Sequence, residues 1–447
     1  MRHRALLPLL LCACNRGEES LICTASVDED VATVINLSWE APEGGSSWVE
    51  FGTGGVQDLS TTVQEKASVS FPLVGVPADT EVSWTGITEV DGERSTCTGT
   101  TTTDTLPADL PQVVINIASD GQSASPRFLL GAYYDLFSAS YVVGMDRLGN
   151  IVWYAPRDED GIAIQAEMSA DGRGVYYNHF GKDLDVDEGK IRHVSFGGEL
   201  LDERRTPLAH HMFTQLPDGN LAYQQLITQT VTNPETGEVE DWVGDGVAEV
   251  DADGNVTQVF SVWDWLTPTW NDKMGGFSLY GDPDWTHGNG LKYDADTNQY
   301  LLSLGHAADV IEFDRSTGEP TRIFGNDGMT EEDGEAFYYQ HDPTLLDDNH
   351  LLMFCTDHES DLTGAREYAI DDEAGTLTEV WRYQSEITSI YLGQARRLSS
   401  GNTLLTFGQG ATMREVTPEG EVVWELETVD RVGLAQFQLL DNFYEVP

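Results

Sequence analysis

The sequence predicts an all-β protein, in which a six-bladed β-propeller follows a small β-sandwich domain. Apolar runs are short and separated by turn residues, including 44 glycines, which is typical of strands joined by tight turns. From about residue 113 two kinds of half-unit alternate, and each pair accounts for two hairpins, that is, one four-stranded blade. The pairs recur about every 40–50 residues, the spacing expected of propeller blades.

One half-unit is a strand after a Gly-Asn turn, as in Asp218-Gly-Asn-Leu-Ala-Tyr223. The other is an acidic turn followed by an apolar strand, often with tryptophan, as in Thr417-Pro-Glu-Gly-Glu-Val-Val-Trp424. We therefore assign residues 113–447 to the propeller and expect Leu434–Leu440 to close the ring with the first blade. The six blades are predicted near residues 128–157, 163–202, 210–263, 287–325, 341–384 and 393–426.

Residues 22–105 form a separate unit with shorter, alternating strands, which indicates a β-sandwich. The segment Ser38-Trp-Glu-Ala-Pro42 resembles a fibronectin type III domain. Cys23 and Cys97 bracket this unit, and in an oxidising compartment they can form a disulfide. Cys355 lies in an apolar strand and is expected to be a buried, unreactive thiol.

Residues 1–21 are predicted to be a targeting segment. Basic residues precede a short apolar run that ends at Ala13-Cys14, and polar residues follow at once. The run is too short to span a bilayer. It resembles a bacterial lipoprotein signal, which implies export and a lipid anchor on Cys14 in the cell envelope, periplasm or outer membrane; the alternative is an ordinary secretory signal.

The formal net charge is −52, with acidic residues spread along the whole chain. Binding to nucleic acid requires a basic surface, so we do not expect a nucleic-acid partner. The sequence also lacks the glycine-rich signatures of phosphate-binding loops and a Gly-x-Ser-x-Gly nucleophile elbow, so it suggests neither a nucleotide cofactor nor a serine hydrolase.

Two histidines occupy the same position in the repeat. His211 and His341 each lie eight residues before the turn residue that precedes an apolar strand, and His287 opens a looser copy of the same unit. Equivalent positions in a closed ring point towards its axis, so the three imidazoles are predicted to converge. Because side chains alternate along a strand, His210 is expected to face away from the channel.

These motifs resemble those of the bacterial arylsulfotransferase family over about residues 120–440. The similarity includes His210-His211 before a Leu-Pro-Asp-Gly-Asn turn, Asp284-Trp-Thr-His287-Gly-Asn289, and Gln340-His341-Asp342. The resemblance implies sulfuryl transfer between aryl sulfates and phenols in two steps, with His341 as the nucleophile. His211, His287 and Asn289 would bind sulfuryl oxygens or move protons, and no cofactor is implied.

The chain departs from the family pattern at one position. Gly305 stands about where the family has an arginine that would hold the sulfuryl oxygens. His306 and Arg396 are the two residues expected to replace that cation. The departure keeps two other functions open, namely hydrolysis of aryl sulfates and a noncatalytic propeller that binds a small molecule or a protein.

Metal binding is a further alternative. Three histidines with an open fourth position can hold zinc, but the separations of His211, His287 and His341 do not match a recognised zinc motif. The acidic segment 183–189 lacks the glycine and the glutamate of a calcium loop. We therefore predict no metal site.

Overall fold

The computed structural model describes residues 21–117, 126–135, 139–157, 161–181, 185–269, 283–331, 337–356, 362–429 and 432–444. Within these residues the regular structure is β-strand, with two short 3-10 turns at Val186–Glu188 and Val262–Asp264. No helix in the described part of the chain is long and apolar enough to cross a membrane. Cys14 lies outside the described residues.

The N-terminal domain consists of two facing sheets. One sheet contains β1 (Cys23–Val27), β2 (Ile35–Glu40) and β5 (Ser68–Leu73). The other contains β3 (Ser46–Thr53), β4 (Leu59–Ser60), β6 (Glu81–Val90) and β7 (Glu93–Thr102). A disulfide joins Cys23 to Cys97 across the two sheets, with 6.2 Å between the Cα atoms.

Six antiparallel four-stranded sheets follow, which confirms the predicted six-bladed propeller. The strands of each blade are given in order from the inner to the outer strand. Blade 1 contains β33 (Gly433–Leu440), β9 (Phe128–Asp135), β10 (Ala139–Asp146) and β11 (Ile151–Tyr154); blade 2 contains β12 (Ala166–Met168), β13 (Gly174–His179), β14 (Lys190–Ser195) and β15 (Leu200–Arg205); blade 3 contains β16 (Ala209–Gln215), β17 (Leu221–Thr232), β18 (Val239–Val250) and β19 (Val256–Ser261).

The second half of the ring repeats this plan. Blade 4 contains β20 (Gly288–Asp294), β21 (Gln299–Leu304), β22 (Asp309–Asp314) and β23 (Pro320–Gly325); blade 5 contains β25 (His341–Leu346), β26 (His350–Thr356), β27 (Thr363–Asp371) and β28 (Thr376–Ser385); blade 6 contains β29 (Gly393–Arg397), β30 (Thr403–Phe407), β31 (Thr412–Val416) and β32 (Val422–Thr428). Two short strands extend the outer edges: β24 (Thr330–Glu331) pairs with β28, and β8 (Val113–Ile117) pairs with β32.

The inner strands surround a central channel, because each contacts the inner strand of the next blade. The ring closes through the C-terminal strand β33, which pairs with β9 from the beginning of the propeller. Closure of this kind removes the exposed sheet edges that an open array would have.

The sandwich packs directly against the propeller rather than extending away from it. The hydroxyl of Tyr444, just after β33, donates to the carbonyl of Pro72 at 2.7 Å and accepts from the amide of Val74 at 2.8 Å. The hydroxyl of Tyr154 accepts from the amide of Ala32 at 2.8 Å. One continuous hydrophobic core includes residues of both domains, so the two domains form one packed unit.

Candidate active site

The inner strands of blades 3, 4 and 5 are irregular at the same place, near one mouth of the channel. Their pairing register shifts around residues 209–213, 288–290 and 341–344. His211, His287 and Asp342 lie at these shifts with φ angles of 51°, 51° and 52°. A positive φ is energetically costly for a residue other than glycine. Such residues often occur at functional sites, where an irregular strand turns a side chain in a different direction. Five imidazoles collect here, which we call the histidine cluster: His210, His211, His287, His306 and His341.

His341 is buried and its tautomer is fixed by the backbone. Its Nδ1 donates to the carbonyl of Tyr339 at 3.0 Å, so the lone pair of the neutral ring lies on Nε2. Burial lowers the pKa of His341 to about 4, the Tyr339 hydrogen bond opposing this and the charge of His287 adding to it. The ring is therefore neutral near pH 7, the form in which an imidazole nitrogen is a nucleophile.

His287 is in the opposite electrostatic state. Its Nδ1 lies 2.6 Å from Oδ2 of Asp284, and its amide donates to Oδ1 of the same carboxylate at 3.0 Å. Burial would lower the pKa of His287, but the charge and hydrogen bond of Asp284, helped by Asp245, outweigh it and raise the pKa. The site therefore contains one histidine, His287, whose protonated form is favoured, and another, His341, whose neutral form is favoured.

His211 and His210 contact each other. Their Nδ1 atoms are 2.9 Å apart, and Nε2 of His210 lies 2.8 Å from Oδ1 of Asp245. Side chains of neighbouring residues in a regular strand point to opposite faces, but here His211 has a positive φ and the register shifts beside it, so the two rings meet. Burial, reinforced by the other histidines, lowers the pKa of His211 well below its usual value. The rings of His211 and His287 are 5.1 Å apart.

His306 belongs to the cluster, and Gly305 leaves room for Asn289. The ring of His306 stacks on that of His287 at 4.5 Å, and its Nδ1 donates to the carbonyl of Asp284 at 2.7 Å. Asn289 is fully buried; its Oδ1 accepts from Ser303 at 2.8 Å, while its Nδ2 has no partner among the described residues. A Cβ on Gly305 would lie 2.6 Å from this Nδ2, so the amide fills the space where a side chain at 305 would begin.

Arg396 lies in a different group of residues, deeper in the channel. Its Nη1 contacts Oδ2 of Asp342 at 2.5 Å and Oγ1 of Thr344 at 3.0 Å. Lys292 contacts the same two side chains, with 3.1 Å to Oδ1 of Asp342. We call Lys292, Asp342, Thr344 and Arg396 the charge layer. Thr344 is three residues beyond His341, or about 10 Å along an extended strand. Arg396 is thus engaged by Asp342 rather than by the histidines.

A metal could use atoms of this site, but the distances favour hydrogen bonds. Asp284, His287 and His306 offer ligand atoms within 4.8 Å of one another. The 2.6 Å between Asp284 and Nδ1 of His287 matches a charge-assisted hydrogen bond, and Nδ1 of His306 donates to a carbonyl. We therefore treat these three residues as a hydrogen-bonded group and not as metal ligands.

Reasoning from the sequence did not assign the two buried carboxylates that support the cluster. Asp284 was available as part of Asp284-Trp-Thr-His287, where it precedes the histidine by three residues. Asp245 comes from β18, the third strand of the blade that contains His210, and no local pattern links the two residues. Cys355, expected to be unreactive, is buried, and burial raises the pKa of its thiol to about 12.

A family model described as "Arylsulfotransferase (ASST)" matches residues 114–441. The chain belongs to the arylsulfotransferase family. A search of curated proteins found no significant match.

Solved structures with a similar fold are distant from this arylsulfotransferase-family chain. A protein of unknown function from Bacteroides caccae is 15% identical, with a TM-score of 0.43, and covers 71% of this chain and 100% of its own. A periplasmic gluconolactonase from Pseudomonas aeruginosa is 14% identical (TM-score 0.39; 72% and 99% covered), and the β-propeller domain of Cps50 from Myceliophteria thermophila is 12% identical (TM-score 0.38; 72% and 88% covered). At these values the likeness carries no information on activity.

Proposed function

We propose that this protein transfers a sulfuryl group from an aryl sulfate to a phenol through a covalent intermediate on His341. Family membership supports aryl sulfates and phenols as the substrate class. The observation that carries the proposal is the state of His341: a buried, neutral imidazole whose Nδ1 is held by the Tyr339 carbonyl, so that Nε2 is the nucleophilic nitrogen. An imidazole in this state divides one difficult displacement into two easier ones.

In the first step Nε2 of His341 attacks the sulfur of the aryl sulfate. The N–S bond forms, the bond between sulfur and the aryl oxygen breaks, and the departing oxygen takes a proton from a histidine of the cluster. The ring that carries the sulfuryl group gains positive charge. The hydrogen bond from its Nδ1 to the Tyr339 carbonyl stabilises that charge.

In the second step the oxygen of an acceptor phenol attacks the same sulfur. The new S–O bond forms, the N–S bond breaks and returns neutral His341, and the phenol proton passes to the histidine that lost one in the first step. We assign this acid and base role to His211, because its ring lies beside that of His287 and its low pKa makes it pass on readily any proton that it has taken up.

We assign His287, Asn289 and His306 to the sulfuryl oxygens. His287 offers a cationic ring supported by Asp284, and Asn289 offers an Nδ2 donor that lacks a protein partner among the described residues. His306 stacks on His287 next to Gly305, the position where the family has an arginine, and is the residue placed to supply the missing charge. Preorganised donors of this kind stabilise charge that develops in the transition state.

The experiment is sulfuryl transfer from 4-nitrophenyl sulfate with and without added phenol. With phenol the wild type should release 4-nitrophenol over many turnovers. When the acceptor is omitted, release should stop after about one equivalent per enzyme, and mass spectrometry should then find a labile sulfuryl group on His341. The His341→Asn variant should lose at least about 10³-fold in kcat/KM because the nucleophile is absent. The matched control is His193→Gln, another buried histidine, which stacks on Tyr176 in blade 2 and should retain activity.

Each other outcome identifies an alternative. Continued release over many turnovers without phenol, with His341 still required, would mean hydrolysis. The absence of release and of an adduct would overturn the enzymatic proposal for aryl sulfates and favour a propeller that only binds its ligand.

We also propose that the protein is exported and carries a lipid on Cys14. The basic and apolar N-terminal segment supports this, as does the Cys23–Cys97 disulfide, because disulfides persist in oxidising compartments. Detergent-phase partitioning of the full chain, compared with a Cys14→Ser variant, measures the anchor.

A further inference from the structure

A row of three titratable groups in close contact ends at His211. It consists of Asp245, His210 and His211, with successive distances of 2.8 Å and 2.9 Å. Asp245 is fully buried and His210 is 3% exposed, so neither contacts bulk solvent to any useful extent. Burial of a carboxylate is costly unless it is paired, which makes this arrangement unlike a solvated surface pair.

Asp245 is held firmly in place by the strand that carries His287. Its Oδ2 accepts from the hydroxyl of Thr286 and from the amide of Gly288 at 2.7 Å, so Oδ1 is the oxygen that faces His210. Gly288 is required for this contact, because a Cβ there would lie 2.4 Å from Oδ1. Two donors on Oδ2 indicate that Asp245 acts as a carboxylate, which can only accept hydrogen bonds.

The tautomers of both histidines follow from that carboxylate. Nε2 of His210 faces Asp245 and must carry a hydrogen, so Nδ1 of neutral His210 accepts. Nδ1 of His211 must then donate to it, which leaves the lone pair of His211 on Nε2. In this form His211 presents a lone pair through Nε2 only, so it is the form that meets the acceptor phenol after the donor half-reaction. Before that half-reaction the site holds one more proton, which rests on His210.

We propose that Asp245 and His210 form a relay that receives the proton which His211 takes from the acceptor phenol and returns it in the donor half-reaction. This inference rests on the proposed sulfuryl transfer. The phenol proton moves to Nε2 of His211, the Nδ1 proton of His211 moves to Nδ1 of His210, and the positive charge then rests beside the Asp245 carboxylate. The relay runs in reverse when the aryl oxygen of the donor departs.

The relay solves an electrostatic problem of the histidine cluster. His211 lies among His210, His287, His306 and His341, and Asp284 favours the protonated form of His287 by raising its pKa. A proton held on His211 would be repelled by its neighbours, whereas one held on His210 lies against Asp245, with Asp284 also near enough to attract it. His210 and Asp245 act through His211 and are thus positioning residues.

The test is the dependence of the rate on the basicity of the leaving phenol in Asp245→Asn and His210→Gln variants. A weakly basic leaving group, 4-nitrophenolate, needs little protonation, whereas unsubstituted phenolate needs it strongly. Loss of the relay should therefore lower kcat/KM for phenyl sulfate about 10²-fold and for 4-nitrophenyl sulfate less than about 5-fold. His193→Gln should lower neither.

Two results would count against the relay. An equal loss for both donors would mean that Asp245 and His210 only maintain the structure. Unchanged rates for both would mean that they have no part in the reaction. If Asp245→Asn does not fold, His210→Gln alone decides between these outcomes. Failure of the sulfuryl-transfer proposal itself is distinguished by the wild type, which would then give no transfer with either donor.

Discussion

The histidine cluster and the charge layer occupy the same inner strands but are built differently. In the cluster the backbone is irregular, with positive φ at His211 and His287, and neighbouring groups have pKa values shifted in opposite directions. In the charge layer Lys292 and Arg396 share one carboxylate, and burial with repulsion from Arg396, opposed by Asp342, lowers the pKa of Lys292 to about 7. The first arrangement separates acid from base, whereas the second balances cations against an anion.

The difference explains how one channel can contain two groups of charged residues of which only one, the histidine cluster, is suited to react with a substrate. Groups whose environments push their pKa values apart can exchange a proton with a substrate, and irregular backbone is what brings such groups together. Charges that are paired with one another, as Lys292 and Arg396 are with Asp342, stabilise the assembly but leave no charge free for a substrate, even though Asp342 also has a positive φ. Three substitutions test whether this division holds.

The largest effect is expected from Asp284→Asn, which removes the charge that supports His287. The variant should lose about 10²–10³-fold in kcat/KM because the donor to the sulfuryl oxygens weakens. Activity needs His287 protonated, so it falls as the pH rises through the raised pKa of His287, and this alkaline limb should move to lower pH in the variant. The acidic limb, set by neutral His341 near pH 4, should not move through loss of Asp284 alone. A pH profile with an unmoved alkaline limb would contradict the pairing.

An intermediate effect is expected from Gly305→Ala. The new Cβ would press on Nδ2 of Asn289 and displace a donor from the site, so kcat/KM should fall about 10-fold. Asn289→Ala should reach a similar rate, and the double variant should be no worse than Asn289→Ala, because both changes remove one interaction. Additive losses in this double-mutant cycle would show that Gly305 acts independently of Asn289.

The smallest effect on activity is expected from Arg396→Met in the charge layer. Asp342 keeps Lys292 as its partner, so transfer should change less than about 3-fold and the free energy of unfolding should fall by about 1 kcal/mol. Denaturant unfolding and steady-state rates measure the two quantities. A large rise in KM with an unchanged free energy of unfolding would instead indicate that Arg396 binds the sulfuryl group, as the sequence suggests.

The propeller could be predicted from the sequence because its repeats carry their own turns. Gly219, Gly401 and Gly420 have positive φ in the turns of three half-units, and the pattern of turn and strand is local. The closure by β33 was also predictable, since an apolar segment without a hairpin partner in sequence must pair elsewhere. Packing of the sandwich against blade 1 was not, because it depends on a few tyrosine contacts between distant residues.

The site was predictable only in part. The shared position of His211, His287 and His341 in the repeat predicts that their side chains converge. In the structure they lie at one mouth of the channel. The contact between His210 and His211 could not be predicted because alternation assumes a regular strand, and Asp245 reaches His210 from β18, two strands away in the same blade. The missing arginine is visible in the sequence, but the occupation of its space by the Asn289 amide depends on how β20 and β21 pair, which no local pattern indicates.

The closure by β33 has a consequence for how the site becomes ordered during folding. The inner strand of blade 1 is supplied by Gly433–Leu440, whereas the other strands of that blade begin far earlier in the chain, at Phe128. Until β33 docks, β9 has an open edge and the ring is not closed, so the distances between the imidazoles of blades 3 to 5 are not yet fixed. The reactive geometry therefore forms only when this long-range pairing has formed, which couples catalytic competence to closure of the ring.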